Sequence, residues 1–139
     1  MGRIMSIDYG KKRVGVAVTD PQRIIAQGLT TVPAHTVWDF LQKYLAEEEV
    51  DEFVVGYPRQ MNNKPSEAIR WINPFVKKLN KLFPSKKISL YDERFTSVMA
   101  HQAILAGGVK KEKRKDKALV DKVSATIILQ SYMEQVKNN

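Results

Sequence analysis

Three carboxylates in this chain stand where chemistry would need them. Asp8 follows strand-forming residues in "SIDYGKKRVGVAVTD" and leads straight into a turn of Gly10, Lys11, Lys12 and Arg13. Glu93 closes another strand-like run, "KKISLYDER", and Asp121 interrupts a helical, mostly apolar stretch, "ALVDKVSATIILQSY". Carboxylate oxygens with no His or Cys among them make a hard donor set, which suits Mg2+ or Mn2+. Two such ions about 3.5–4 Å apart can activate a water and stabilise the leaving oxygen of a phosphodiester. A plainer reading has equal standing on spacing alone: an ion pair at a strand end for Asp8, and a lysine or arginine neutralising Asp121 on its apolar helix.

Neighbouring residues narrow the choices. Successive side chains of a strand point to opposite faces, so Asp92 and Glu93 cannot both serve one site. His35 and His101 stand alone, without metal-ligand spacing. The cations are clustered. Lys11, Lys12 and Arg13 form one group, and "KKEKRKDK", from Lys110 to Lys117, forms a denser one. With 23 Lys and Arg against 15 Asp and Glu the net charge is +8, which favours an anionic partner such as nucleic acid.

Elements to hold these residues can be read from periodicity. Residues 3–9 and 13–19 predict an antiparallel hairpin, and "RIIAQGLTTV" a third strand after the break at Asp20-Pro21. "HTVWDFLQKYLAEEE" has the 3/4 spacing of a helix, and "EFVVGYP" is a short apolar strand. A second helix is expected from about Pro65 to Phe83, kinked or restarted at Pro74, which has no N–H to donate. The fifth strand is "KKISLYDER". A short helix then follows from Thr96 or Ser97 to Leu105, and a last one spans about Lys117 to Val136. Ser124 and Ala125, one turn after Asp121, are small enough to let that helix lie close to a sheet. The order predicts an α/β fold, a mixed five-stranded sheet flanked by helices. Crossovers through helices make the later strands parallel to the first, and sites in such sheets lie beyond the carboxyl ends of parallel strands. Asp8, Gly56-Tyr57-Pro58 and Glu93 are three such ends.

At 139 residues a single domain spanning 1–139 is expected. No apolar run approaches bilayer length, the first residues do not resemble a signal peptide, and there are no cysteines. The cytoplasm is the expected location.

Four blocks, "SIDYGKKRVGVAVTD", "VVGYPRQMNNKPSEA", "YDERFTSVMAHQAILAGG" and "KRKDKALVDKVSATIILQSYME", resemble in order and spacing the motifs of the YqgF/RuvX family. Its members are described as Holliday-junction-resolvase-like proteins and as proposed nucleases of the 16S ribosomal RNA precursor. The resemblance implies an RNase H-like fold, with Asp8, Glu93 and Asp121 as catalytic residues and ligands of Mg2+ or Mn2+. Asp116 competes for the third place but lies in the basic stretch, without small residues after it. Lys11, Lys12, Arg13, Arg59, Lys110, Lys111, Lys113 and Arg114 are the candidate nucleic-acid contacts. Where the family commonly has "GLPLNMDG" this chain has "GYPRQMNN", which adds Arg59 as a cation near the site. The implied activity is metal-dependent cleavage of RNA, in maturation of the 5′ end of pre-16S rRNA. Junction cleavage in DNA and non-catalytic nucleic-acid binding are the alternatives. A monomer is expected, because each helix has one apolar stripe for the sheet to consume.

Overall fold

The computed structural model describes residues 2–57, 67–92 and 117–137. "RIMSIDY" and "RVGVAVT" are almost continuously buried, as befits strands covered on both faces. They form β1 (Arg3–Tyr9) and β2 (Arg13–Thr19), antiparallel, with Asp8 opposite Gly15. The connecting turn is closed by the Gly10 N–H donating to the Arg13 carbonyl at 2.9 Å. β3 (Ala26–Pro33) pairs antiparallel with β2. β4 (Val50–Tyr57) runs parallel to β1, and β5 (Lys87–Asp92) parallel to β4. The sheet order is β3-β2-β1-β4-β5.

The third strand begins at Ala26 rather than at Arg23 as expected. The Asp20 carboxylate takes up residues 20–25 in a turn, accepting the backbone N–H groups of Gln22, Ile24 and Ile25 at 3.2, 2.7 and 2.8 Å. Arg23 sits there at φ 59°, in the left-handed region that strands avoid.

Helices cover both faces of the sheet. α1 (Val37–Glu47), entered through a 3-10 turn at Ala34–Thr36, and α2 (Ile69–Leu82) lie on one face. They pack Val37, Leu41, Ile72, Phe75 and Leu79 against Met5, Ile7, Val14, Val16, Phe53 and Val55. α2 runs through Pro74 without interruption. Pro74 lies on the exposed side, where water can serve the carbonyl left without its helical N–H. Leu82 is 40% exposed at the helix end. α3 (Lys117–Lys137) covers the opposite face. There Ser124, Ala125, Ile128, Leu129 and Tyr132 are buried, with Ile4, Ala17 and Val54 beneath them. Val120, Val123 and Ile127 are only half-buried, because the face that meets the sheet is the one carrying the small residues.

Both α2 and α3 are tied to the sheet with a defined direction. Phe83, after the end of α2, meets Phe53 near the start of β4, while its early residue Asn73 accepts from the Tyr57 hydroxyl at 3.1 Å. The Tyr132 hydroxyl, late in α3, donates to the Glu52 carboxylate and lies 3.2 Å from Ser89 Oγ. The first turns of α2 and α3 therefore both lie at the edge where β1, β4 and β5 end. Among the described residues no helix is long and apolar enough to cross a membrane.

Candidate active site

Along β1, Ile4 and Ser6 face α3, and Asp8 continues that alternation. Opposite Asp8 on β2 stands Gly15, and over Gly15 lies the backbone of α3 at Asp121. A Cβ on Gly15 would collide with the Asp121 carbonyl oxygen. The absent side chain is thus what lets the helix descend until its aspartate reaches the end of β1. Two hydrogen bonds fix that approach: Ser6 Oγ donates to the Ala125 carbonyl at 2.6 Å, and Thr31 Oγ1 to the Ala118 carbonyl at 2.6 Å.

The two carboxylates that meet here are not equivalent. Asp121 accepts a hydrogen bond from Arg13 Nε at 2.8 Å, a partly buried ion pair. This is the plain pairing the sequence also allowed. Asp8 has no such ion pair among the described residues. Burial first, and the adjacent Asp121 charge second, push its carboxyl up to about 7 from the ordinary 3.8. Near neutrality Asp8 is thus the carboxyl held uncharged, while Asp121 keeps its pairing with Arg13.

Such a pair fits a hard divalent cation. Its donors are all oxygens, and the charge it lacks is the charge a cation supplies. Among the described residues no third His, Cys, Asp or Glu completes a metal-binding cluster. Ser89 and Tyr91 of β5 face α3, so alternation turns Asp92 to the other side of the sheet, away from Asp8. Glu93, the next residue, lies outside the described residues. So do Asp116, Arg59, Lys110, Lys111, Lys113 and Arg114.

Of the nearer cations, Lys11 and Lys12 are exposed on the β1–β2 turn, and Arg13 is engaged with Asp121. Lys11 Nζ stands 5.9 Å from the centre of the Trp71 ring. Tyr9 stacks on Phe75 with centroids 4.2 Å apart, so the apolar core of α2 reaches up to the residue after Asp8. Gly15 and Ser6 escape a search for chemistry-bearing residues. The available signal for Gly15 was a glycine inside the run Val14–Val18, which in a strand marks close approach of another backbone.

A family described as "RuvX: Holliday junction resolvase" matches residues 2–135. The chain belongs to the RuvX family. The sheet order, with β1 central and α3 across one face, is this family's RNase H-like fold. Among RuvX relatives, a protein of Phocaeicola vulgatus is 60% identical over 137 residues, 99% of each chain. One from Porphyromonas gingivalis is 59% identical, covering 96% of this chain and 97% of its own. A third, from Flavobacterium johnsoniae, is 53% identical and covers 96% of each. All three bear the name "Putative pre-16S rRNA nuclease".

Proposed function

We propose that this protein is a metal-dependent nuclease that hydrolyses phosphodiester bonds of RNA, acting in maturation of the 5′ end of pre-16S rRNA. The observation that carries the reading is the meeting of Asp8 and Asp121 at the carboxyl edge of the sheet, where Asp8 has no ion-pair partner among the described residues. The names of the RuvX relatives point to the same substrate. Asp8 and Asp121, joined by Glu93 from the residue after β5, would hold Mg2+ or Mn2+. When bound, the cation supplies an activated water and charge stabilisation at the leaving oxygen.

The chain's own groups do the rest. Arg13 holds the Asp121 carboxylate in place through its Nε–H, so the side chain is oriented before any ligand arrives. Lys11 and Lys12, exposed beside the site, attract the substrate's phosphates. Arg59 and the cluster of Lys110, Lys111, Lys113 and Arg114 extend that attraction in the same reading. Ser6 and Gly15 position rather than react, since they set the height of α3 above β1.

The family's description as a Holliday junction resolvase supports a second reading, cleavage of four-way DNA. One assay separates them. Structured RNA, single-stranded RNA and a four-way DNA junction are incubated in parallel with Mg2+ or Mn2+. RNA cleavage that is lost in Asp8→Asn and on chelation supports the proposal. Paired symmetric nicks in the junction, with RNA untouched, would replace it with the resolvase, and full activity of Asp8→Asn would end both.

A further inference from the structure

α2 carries a feature that the catalytic edge does not use. Its sequence from Ile69 to Leu82 contains no Asp or Glu, yet it holds Arg70, Lys77, Lys78 and Lys81. Helices exposed to water usually interleave both signs, because like charges four residues apart repel. Here Lys77 and Lys81 are such a pair. Spacings of 7, 8 and 11 residues from Arg70 place all four cations on one side, opposite the buried Ile72, Phe75 and Leu79, and all four are exposed. Arg70 has an exposed ion pair with Glu67 at 3.9 Å. Lys77, Lys78 and Lys81 have none among the described residues.

Direction and length give this stripe a meaning. The first half of α2 lies at the catalytic edge, tied there by Asn73 to Tyr57 and by Phe75 to Tyr9. Lys11 of the β1–β2 turn leans over Trp71 at the start of the helix. The positive surface therefore runs from beside Asp8 onto α2 and along it. From Arg70 to Lys81 the helix rises about 16 Å at ~1.5 Å per residue, roughly five phosphate spacings along one strand of a duplex. Lys78 is already partly oriented, with its Nζ 4.7 Å from the centre of the Trp38 ring.

We propose that the outer face of α2 is a second nucleic-acid surface, which tracks the phosphate backbone leading away from the cleaved bond. It rests on the reading of the protein as nucleic-acid-directed and assigns its partner to residues outside the catalytic edge. A phosphate backbone fits the exposed row of Lys77, Lys78 and Lys81, which has no ion pair among the described residues. A folded protein partner would ask for apolar anchors that this face lacks.

The test uses the full chain carrying Asp8→Asn, so that binding is read without cleavage. A second protein adds Lys77→Gln, Lys78→Gln and Lys81→Gln, and a control adds Lys43→Gln, Lys86→Gln and Lys87→Gln, an equal loss of charge elsewhere. Affinity for a single-stranded RNA is measured between 50 and 200 mM salt. Three lost phosphate contacts reduce the log–log slope by about 2, so the advantage of the parent over the stripe variant shrinks roughly 18-fold across that range. The control keeps the parent's slope. Equal slopes for parent and stripe variant, or equal losses in stripe and control variants, overturn the proposal. A difference that appears with poly-glutamate and not with RNA would reassign the face to acidic proteins and overturn it too. Cleavage is scored separately, so an inactive enzyme with a stripe-dependent slope refutes the nuclease and leaves this surface standing.

Discussion

Replacing Asp8 with asparagine stabilises the metal-free protein, and does so only on the alkaline side. In an unfolded chain an aspartate titrates near ~3.9, whereas in the fold Asp8 is raised to about 7 by burial and by Asp121. Between those values the unfolded chain has released a proton that the folded state keeps. Stability is fully present below the unfolded value and falls as pH rises through the folded one. At about 1.4 kcal/mol per pH unit the whole passage costs at most about 4 kcal/mol, and roughly 2–3 after side-chain relaxation. An amide carries no charge at any of these pH values, so Asp8→Asn escapes the loss. At about 3–4 °C per kcal/mol for a chain of this size, its Tm at pH 8.5 with chelator should exceed the parent's by roughly 7–10 °C. At pH 4 the two should melt within about 2 °C of each other. Thermal melts followed by circular dichroism between pH 4 and 9 measure this directly. Parallel curves for the two proteins would mean that Asp8 is not held uncharged, and the account of the site would be wrong. Millimolar Mg2+ at pH 8.5 should then raise the parent's Tm and leave the variant's unchanged. An equal response in both would remove Asp8 from the proposed ligands.

Gly15→Ala should cost about 1–3 kcal/mol by overpacking against the α3 backbone and should separate Asp121 from Asp8. Gly28→Ala meets only the Lys122 and Thr126 side chains, so denaturant midpoints should show a loss below about 1 kcal/mol there. Arg13→Gln leaves Asp121 without its ion-pair partner; urea titrations should show a loss of about 1–2 kcal/mol. Tyr132→Phe removes the hydroxyl that donates to buried Glu52, and thermal melts should report a loss of about 1–3 kcal/mol with RNA cleavage retained, because this contact lies at the far end of α3.

What the sequence could reveal depended on how local the determining interaction was. β1, β2, β4 and the body of α3 follow from period and breaker residues within their own segments. β3 was placed three residues early, since its start is decided by a side chain of the preceding turn, Asp20, capturing three backbone N–H groups. In α3 the close approach expected at Ser124 and Ala125 is what the structure shows, and Ile128 is buried beside them, but Val120, Val123 and Ile127 are only half-buried. Hydrophobicity alone does not say which aliphatic residues of such a helix turn to the sheet. A lysine or arginine for Asp121 is expected from the sequence, but that the partner is Arg13, 108 residues away in the chain, is set by the tertiary fold.

That pairing also bears on why Asp8 is there. An ion pair between Arg13 and Asp121 satisfies both partners and would anchor α3 over β2 without help. Placing a second carboxylate against it adds a desolvation cost and a repulsion, the two effects that raise Asp8. A fold shaped for stability alone would carry asparagine at position 8. Surrounding residues instead maintain the strained arrangement: Gly15 gives up a side chain so that α3 can descend, and Ser6 and Thr31 bind its carbonyls to keep it there. Three positions that hold two carboxylates together against their repulsion are difficult to explain as packing. They are what the proposed cation site would require, a site whose missing charge would arrive with its ligand.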